Sequence, residues 1–364
     1  MKSSPGLLSA GLTMCGGTAA IVRAADARLP VSGLFLDAWF VLAVSATTVG
    51  AVLGCIALSR WRDAKSGAAL GAVGLAAAVF GAVGSMIAHL GAVEQYSHGR
   101  PFRRGKQPLT AGSGDGEAWL EPVALGPVTP EALRAELAAE WRRNGMKEHA
   151  SIAAFSRLSL DLIAVSAPAE LLAEVQGDAL DEIRHARLCF SVAHALDGRK
   201  EGPGDFPEAR TSTRGLPTRT LALTRLAIDA VIDGALNEGV SARLLARLAG
   251  TCTDPALAAL VRGMAADEAK HAAHSWHIVA FCMESGGAPV RAALRGALGA
   301  LPAMMTAELP EGARGGAWEA YGVQGEALER EAWSAARRHG VEKLVALLDG
   351  ARVGRARAAS SATL

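Results

Sequence analysis

The sequence predicts an all-α protein in two parts: a hairpin of membrane-crossing helices, then a bundle of two antiparallel helical hairpins joined by a long crossover. Three observations carry that prediction. Half of the 364 residues are hydrophobic, with abundant Ala and Leu and few aromatics, a composition of helix formers. Nothing alternates with period two over a useful length, so half-buried strands are not indicated. Gly- and Pro-rich breaks fall where the hairpin turns and the one long connection are needed.

Residues 1–96 read as the membrane region. Gly33 to Ser59 and Gly67 to Val93 carry almost no charge, and each is long enough to cross a hydrocarbon core of about 30 Å. The link Arg60-Trp61-Arg62-Asp63-Ala64-Lys65 makes them a hairpin. Small residues recur four apart in the second span (Gly67 and Gly71; Ala77, Gly81 and Ser85), which suits close helix packing in lipid. Asp37 and His89 fall near span ends, where the interface receives them. Gly6 to Val22 reads as a third span, a signal-peptide core or an interfacial helix. Counting Lys and Arg on the two sides puts the flanks of the hairpin in the cytoplasm.

Residues 97–128, rich in Gly, Pro and charge, read as a linker. Thr129-Pro130-Glu131 gives a helix start, with Thr as N-cap and Pro in the first turn. The first bundle helix runs from there to about Val165, and Pro168 opens the second, which ends near Leu196. Lys200 to Pro217 is the crossover, and the third and fourth helices occupy residues 218–250 and 254–285 or thereabouts. The bundle thus covers 129–286. An extension over 287–364 holds two more helical stretches, near 289–300 and 316–349, with a frayed end after Ala351.

Lys and Arg number 37 against 36 Asp and Glu, and they form no run or stripe, so a nucleic-acid partner is not expected. The five cysteines, Cys15, Cys55, Cys189, Cys252 and Cys282, are scattered without a C-x-x-C pair. That arrangement argues against a disulfide framework and against a Cys-ligated zinc or iron centre.

The chemistry concentrates in two hexamers, Asp181-Glu182-Ile183-Arg184-His185-Ala186 and Asp267-Glu268-Ala269-Lys270-His271-Ala272. Helical residues three apart share a face, so the Glu and His of each hexamer point the same way. Glu148 and Glu238, each on the preceding helix, complete the order E, ExxH, E, ExxH. With a turn near Ala167-Pro168, Glu148 lies roughly 19 residues before it and Glu182 and His185 roughly 15 to 18 after, level with one another at about 1.5 Å per residue. A turn between Thr251 and Asp254 places Glu238 level with Glu268 and His271 by the same arithmetic. Four Glu and two His then gather in mid-bundle, a donor set suited to Fe or Mn. Asp181 and Asp267 are candidates to accept the outer ring N–H of the two histidines. His149 follows Glu148 by one residue and faces elsewhere; His194, His274 and His277 read as flanking or surface groups.

Residues 130–285 resemble the ferritin-like superfamily in this order of ligands. The runs Glu148-His149-Ala150-Ser151-Ile152-Ala153-Ala154-Phe155 and Asp181-Glu182-Ile183-Arg184-His185-Ala186-Arg187-Leu188-Cys189-Phe190 resemble a group of bacterial ferritin-like proteins. Anchoring in the bacterial inner membrane is expected from the apolar runs Gly33 to Ser59 and Gly67 to Val93. The resemblance covers under half of the chain and implies a ferritin-like four-helix bundle. It implies two Fe ions, with Mn as the alternative, held by Glu148, Glu182, His185, Glu238, Glu268 and His271. It further implies O2 or peroxide as reactant, an electron-donor protein as partner and a homodimer as one assembly, while the N-terminal helices add the lipid bilayer as a partner.

Within that superfamily, rubrerythrin-type peroxidases carry a Cys-ligated iron centre that this chain lacks the motif for. Radical-generating reductase subunits need a Tyr near the metals, and Tyr96 and Tyr321 lie outside the bundle. Storage ferritins form shells that a membrane hairpin obstructs. The expectation is a membrane-anchored di-iron oxidoreductase that oxidises Fe(II) with O2 or peroxide. The alternatives are an O2-dependent hydroxylase of an organic substrate and a non-enzymatic metal-binding or sensor module.

Overall fold

The computed structural model describes residues 99–104, 107–126, 130–206, 218–300 and 316–361. The expected membrane spans, the segment Gly6 to Val22 and the expected cap Thr129 lie outside these residues. Among the described residues no helix is long and apolar enough to cross a membrane. They are mostly helical, as the composition predicts.

Helix α1 spans Glu131–Ala164 and α2 spans Ala169–Asp197. Pro130 was expected inside the first turn but stands at the N-cap of α1, with φ −55° and ψ 131°; its fixed φ suits either place. Between the two helices Ser166 adopts a left-handed φ of 55°, and the amides of Val165 and Ala167 both return to the Leu162 carbonyl. That reversal ends α1, and Pro168 in extended conformation launches α2. The hairpin turn therefore falls where Ala167-Pro168 predicts it.

The second hairpin is less regular. Helix α3, Arg219–Asp229, starts on the Thr218 hydroxyl, which accepts from the Leu221 amide at 3.2 Å. A π-helical stretch, Ala230–Leu236, joins it without a break to α4, Asn237–Thr251. Asp254 then caps α5, Pro255–Ala300, its Oδ1 accepting from the amides of Ala256 at 2.8 Å and Leu257 at 3.3 Å. The sequence places a break near residue 287. The helix kinks there instead, at Gly287 with φ 64°, two residues before Pro289. A short turn, α6 at Gly316–Glu319, precedes α7, Glu326–Ser361.

The core joins α1, α2, α4, α5 and α7. Leu137 and Trp141 of α1, Cys189 and Val192 of α2, Leu244 and Leu248 of α4, Val261 and Met264 of α5 and Trp333 of α7 form one buried cluster. Each fully buried Leu contributes roughly 1.5–3 kcal/mol relative to exposure. The C-terminal helix is thus part of the packed body and lies against α4.

Much of the stretch read as a linker is pinned to this body. Strands β1, Arg103–Arg104, and β2, Gln107–Pro108, pair as a small antiparallel hairpin. Strand β3, Ser113–Asp115, pairs antiparallel with β4, Glu201–Pro203, in the loop after α2. Strands this short give no period-two signal, which is why the sequence reading has none.

Candidate metal centre

The ligand positions follow from the helix levels. Glu148 lies on α1, Asp181, Glu182 and His185 on α2, Glu238 at the start of α4, and Asp267, Glu268 and His271 on α5. All six candidate ligands are buried: Glu182, Glu238 and His271 are 0 % exposed, Glu268 1 %, His185 2 % and Glu148 7 %. The π-helical stretch ends two residues before Glu238. It adds a residue to the helix and so rotates α4 relative to α3.

Donor atoms of these side chains fall into two overlapping groups. Glu148, Glu182, His185 and Glu268 bring one atom each within 4.8 Å of one another, and so do Glu182, Glu238, Glu268 and His271. Glu182 and Glu268 belong to both. The two imidazoles turn Nδ1 inward, His185 Nδ1 lying 3.3 Å from Glu268 Oε1 and His271 Nδ1 3.3 Å from Glu182 Oε1. Their ring centroids are 6.0 Å apart.

The interior of the cluster is short of hydrogen bonds. Glu148 Oε2, both oxygens of Glu182, both of Glu238, Glu268 Oε2, and Nδ1 of His185 and of His271 are buried without a hydrogen-bond partner. A buried carboxylate left so costs several kcal/mol by order of magnitude. Bound cations would satisfy every one of these atoms, and the oxygen and nitrogen donors suit hard-to-borderline metals. The residues present therefore fit a metal ion in each group.

Electrostatics say the same. Burial, then the neighbouring charges of Glu148, Glu268 and Glu238, drive the Glu182 carboxyl well above the usual carboxylate range. Burial and Glu268 do likewise to Glu238, and, less strongly, to Glu148. Glu268 moves down: burial pushes it up, but His185 and His271 beside it outweigh that. His185 is pushed up to about 10, burial opposing and the carboxylates of Asp267 and Glu268 prevailing. Without cations the cluster holds protons in their place.

Asp181 and Asp267 sit on the outer side of the rings, crosswise. His185 Nε2 lies 3.3 Å from Asp267 Oδ2, and His271 Nε2 lies 3.3 Å from Asp181 Oδ2. Each hexamer thus orients the histidine of the other, which fixes Nδ1 as the inward atom. The basic residue at the fourth place of each hexamer completes the exchange. Arg184 pairs with Asp181 and reaches Asp267 at 3.4 Å, while Lys270 contacts Asp181 at 2.6 Å and Asp267 at 3.2 Å. Burial pushes Asp181 up, but hydrogen bonds from His271, Lys270 and Arg184 carry it below the usual range. Asp267 is lowered to about 2, chiefly by His185.

Sequence reading passed over several of these groups. Arg184 and Lys270 had a signal, since both hexamers read D-E-x-(R/K)-H-A. Asp178, 2 % exposed, had a weaker one, one turn before Asp181 and Glu182; it lies 2.9 Å from His274 Nδ1 and 3.7 Å from His271 Nε2. Arg100 had none, because its contacts lie 138 and 175 residues away, at Glu238 and Ser275. His149 packs its ring against Trp119 at 5.1 Å and Phe206 at 5.7 Å, away from the cluster. His277 pairs with Glu174 at the surface, at 3.0 Å.

Compared with protein-family models, curated proteins and solved structures, the chain finds no match.

Proposed function

We propose that this chain is a ferritin-like di-iron carboxylate protein that oxidises Fe(II) with O2 or peroxide, in iron handling or defence against oxidants. The observation that carries the reading is the sharing of Glu182 and Glu268 between two four-residue donor groups, the arrangement expected of a two-metal site. The order α1/α2, crossover, α3–α4/α5 agrees with a ferritin-like bundle. Membrane anchoring belongs to the same proposal and rests on the apolar runs Gly33 to Ser59 and Gly67 to Val93.

Redox-active ions held by Glu148, Glu182, His185, Glu238, Glu268 and His271 would supply the two electrons that reduce O2 to peroxide or peroxide to water. The protein does the rest. His185 and His271 present Nδ1 inward and keep Nε2 on Asp267 and Asp181, so neither ring turns. The carboxyls of Glu182 and Glu238 hold protons until cations displace them. Phe155, 1 % exposed with its ring 5.4 Å from His271, helps to exclude water.

A second reading, an O2-dependent hydroxylase, would place its substrate beside Glu148, where Trp141, Leu244, Leu248 and Met264 line a cavity of about 30 Å³. That is room for a water or two, so an organic substrate has to part these walls.

The deciding experiment is metal content with Fe(II)-dependent O2 consumption on the full chain. Two iron per chain with fast uptake on Fe(II) alone supports iron oxidation. Two iron with negligible uptake turns the reading to the hydroxylase, and no bound metal ends both.

A further inference from the structure

Gly99 to Phe102, just ahead of β1, run across the Glu238 end of the cluster. Three serines on three helices hold them there. The Gly99 amide donates to Ser241 Oγ at 2.8 Å, the Ser151 hydroxyl donates to the Arg100 carbonyl at 2.9 Å, and Arg100 Nη2 donates to Ser275 Oγ at 3.0 Å. Each serine stands three or four residues beyond a candidate ligand, Glu238, Glu148 or His271, and so on the same helix face. The backbone itself lies against the carboxylates. Gly99 has φ +70°, and a Cβ there would sit 3.6 Å from Glu238 Oε2 and 3.9 Å from Glu148 Oε2.

This segment carries a cation into the site. The Arg100 side chain is 5 % exposed, stacks 5.1 Å above the Phe155 ring, and holds Nε 3.9 Å from Glu238 Oε1. That Nε is buried and makes no hydrogen bond. Gly234, in the π-helical stretch, makes room for it, since a Cβ there would overlap both Arg100 and Ser275. On the other side of the cluster Lys147 acts on Glu148, yet it divides its field with Glu329. Arg100 thus brings a guanidinium to 3.9 Å from the Glu238 carboxylate.

We propose that Arg100 is a tethered competitor for Glu238, which makes the two cation positions unequal and ties the docking of residues 99–102 to the emptiness of the second. The inference rests on the metal-centre reading above. A guanidinium keeps its charge at any working pH, so it repels an incoming divalent cation at the group of Glu182, Glu238, Glu268 and His271. Coupling is reciprocal: by whatever factor Arg100 weakens the cation, the cation weakens the docking of Arg100. Cation loading therefore loosens residues 99–102 from the bundle.

The test is equilibrium titration of the full chain with Mn(II) or Co(II), alongside Arg100→Gln and Arg100→Lys. The wild type should take two equivalents with the second weaker. Arg100→Gln should strengthen that second equivalent about tenfold, leaving the first unchanged, and Arg100→Lys should stay within about threefold of wild type. Trypsin cleavage after Arg103 and Arg104 should speed up when the wild type is loaded, a readout that stands if Arg100→Gln misfolds. Two equal equivalents, a second equivalent not strengthened in Arg100→Gln, or a cleavage rate indifferent to cation overturns the proposal and leaves the metal centre intact. Absence of uptake by the wild type overturns the metal centre and this inference with it.

Discussion

In the first hairpin Glu148 sits on an unbroken α-helix and is 7 % exposed, whereas in the second Glu238 follows seven residues of π-helix and is fully buried. The two halves bring the same kinds of residue to the cluster, one Glu and one D-E-x-x-H-A. Their surroundings differ. The first half borders a small cavity lined by Leu244, Leu248 and Met264; Gly99 lies against both lone glutamates, and the Arg100 guanidinium reaches Glu238 of the second half. A regular helix suffices where the ligand faces a cavity. Where a helix must also seat a buried guanidinium and a crossing backbone, it needs an extra residue per turn and a glycine at 234.

The largest effects should come from the residues the halves share. Glu182→Ala and Glu268→Ala are each expected to abolish cation binding, while Glu148→Ala and Glu238→Ala each leave one cation per chain. Metal content after gel filtration checks this. Equal losses in all four variants would sink the overlapping-group arrangement. Acidification comes next. Glu148, Glu182 and Glu238 hold their protons above the usual carboxylate range, so cations must displace protons, and affinity falls as pH falls. The loss should be about tenfold per pH unit for each proton displaced. A titration of Mn(II) binding against pH checks this.

Position-matched substitutions sharpen the comparison of backbones. Gly234 and Asn144 each stand four residues before the lone Glu of their hairpin. Gly234→Ala drives a methyl into Ser275 and Arg100 and should cost about 2–3 kcal/mol. Asn144→Ala, beside a pocket, should stay within about 0.5 kcal/mol. Urea midpoints at constant slope give both.

The smallest effects lie at the hairpin ends. Arg142 grips Asp197 through two hydrogen bonds, at 2.8 and 2.6 Å, so Asp197→Asn should cost about 1–2 kcal/mol at neutral pH. Burial pushes Asp197 up, but Arg142 and Arg199 prevail and lower it from 3.8 to about 2. A depressed carboxyl stabilises the fold above its unfolded value. The difference from wild type should therefore be full above about pH 4 and fade as pH falls towards 2. Asp254→Ala, which removes the cap of α5, should cost about 1 kcal/mol.

Helix ends were legible because their signals are local. Ala167-Pro168 and the Thr251 to Asp254 stretch mark the two hairpin turns, whereas the break read near residue 287 is a kink in one continuous helix. The cluster was legible for a related reason. Repeating E and ExxH at matched distances from two turns needs only the helix rise to place them at one level. The crosswise exchange of Asp181 and Asp267 was not legible, since spacing along one helix cannot say which ring of the other helix an aspartate meets. The strands were missed because two or three residues make no pattern.

The sequence alone determined an all-α body, the turns of its two hairpins and the six residues that gather between them, because helix propensity, breakers and a 1.5 Å rise per residue act over short range. Tertiary structure alone decided the π-helical stretch before Glu238, the pairing of each histidine with the other hexamer's aspartate, and the arrival of Arg100 among the carboxylates. Those depend on contacts between residues 82 to 175 positions apart. Packing chooses such contacts only after the helices have met.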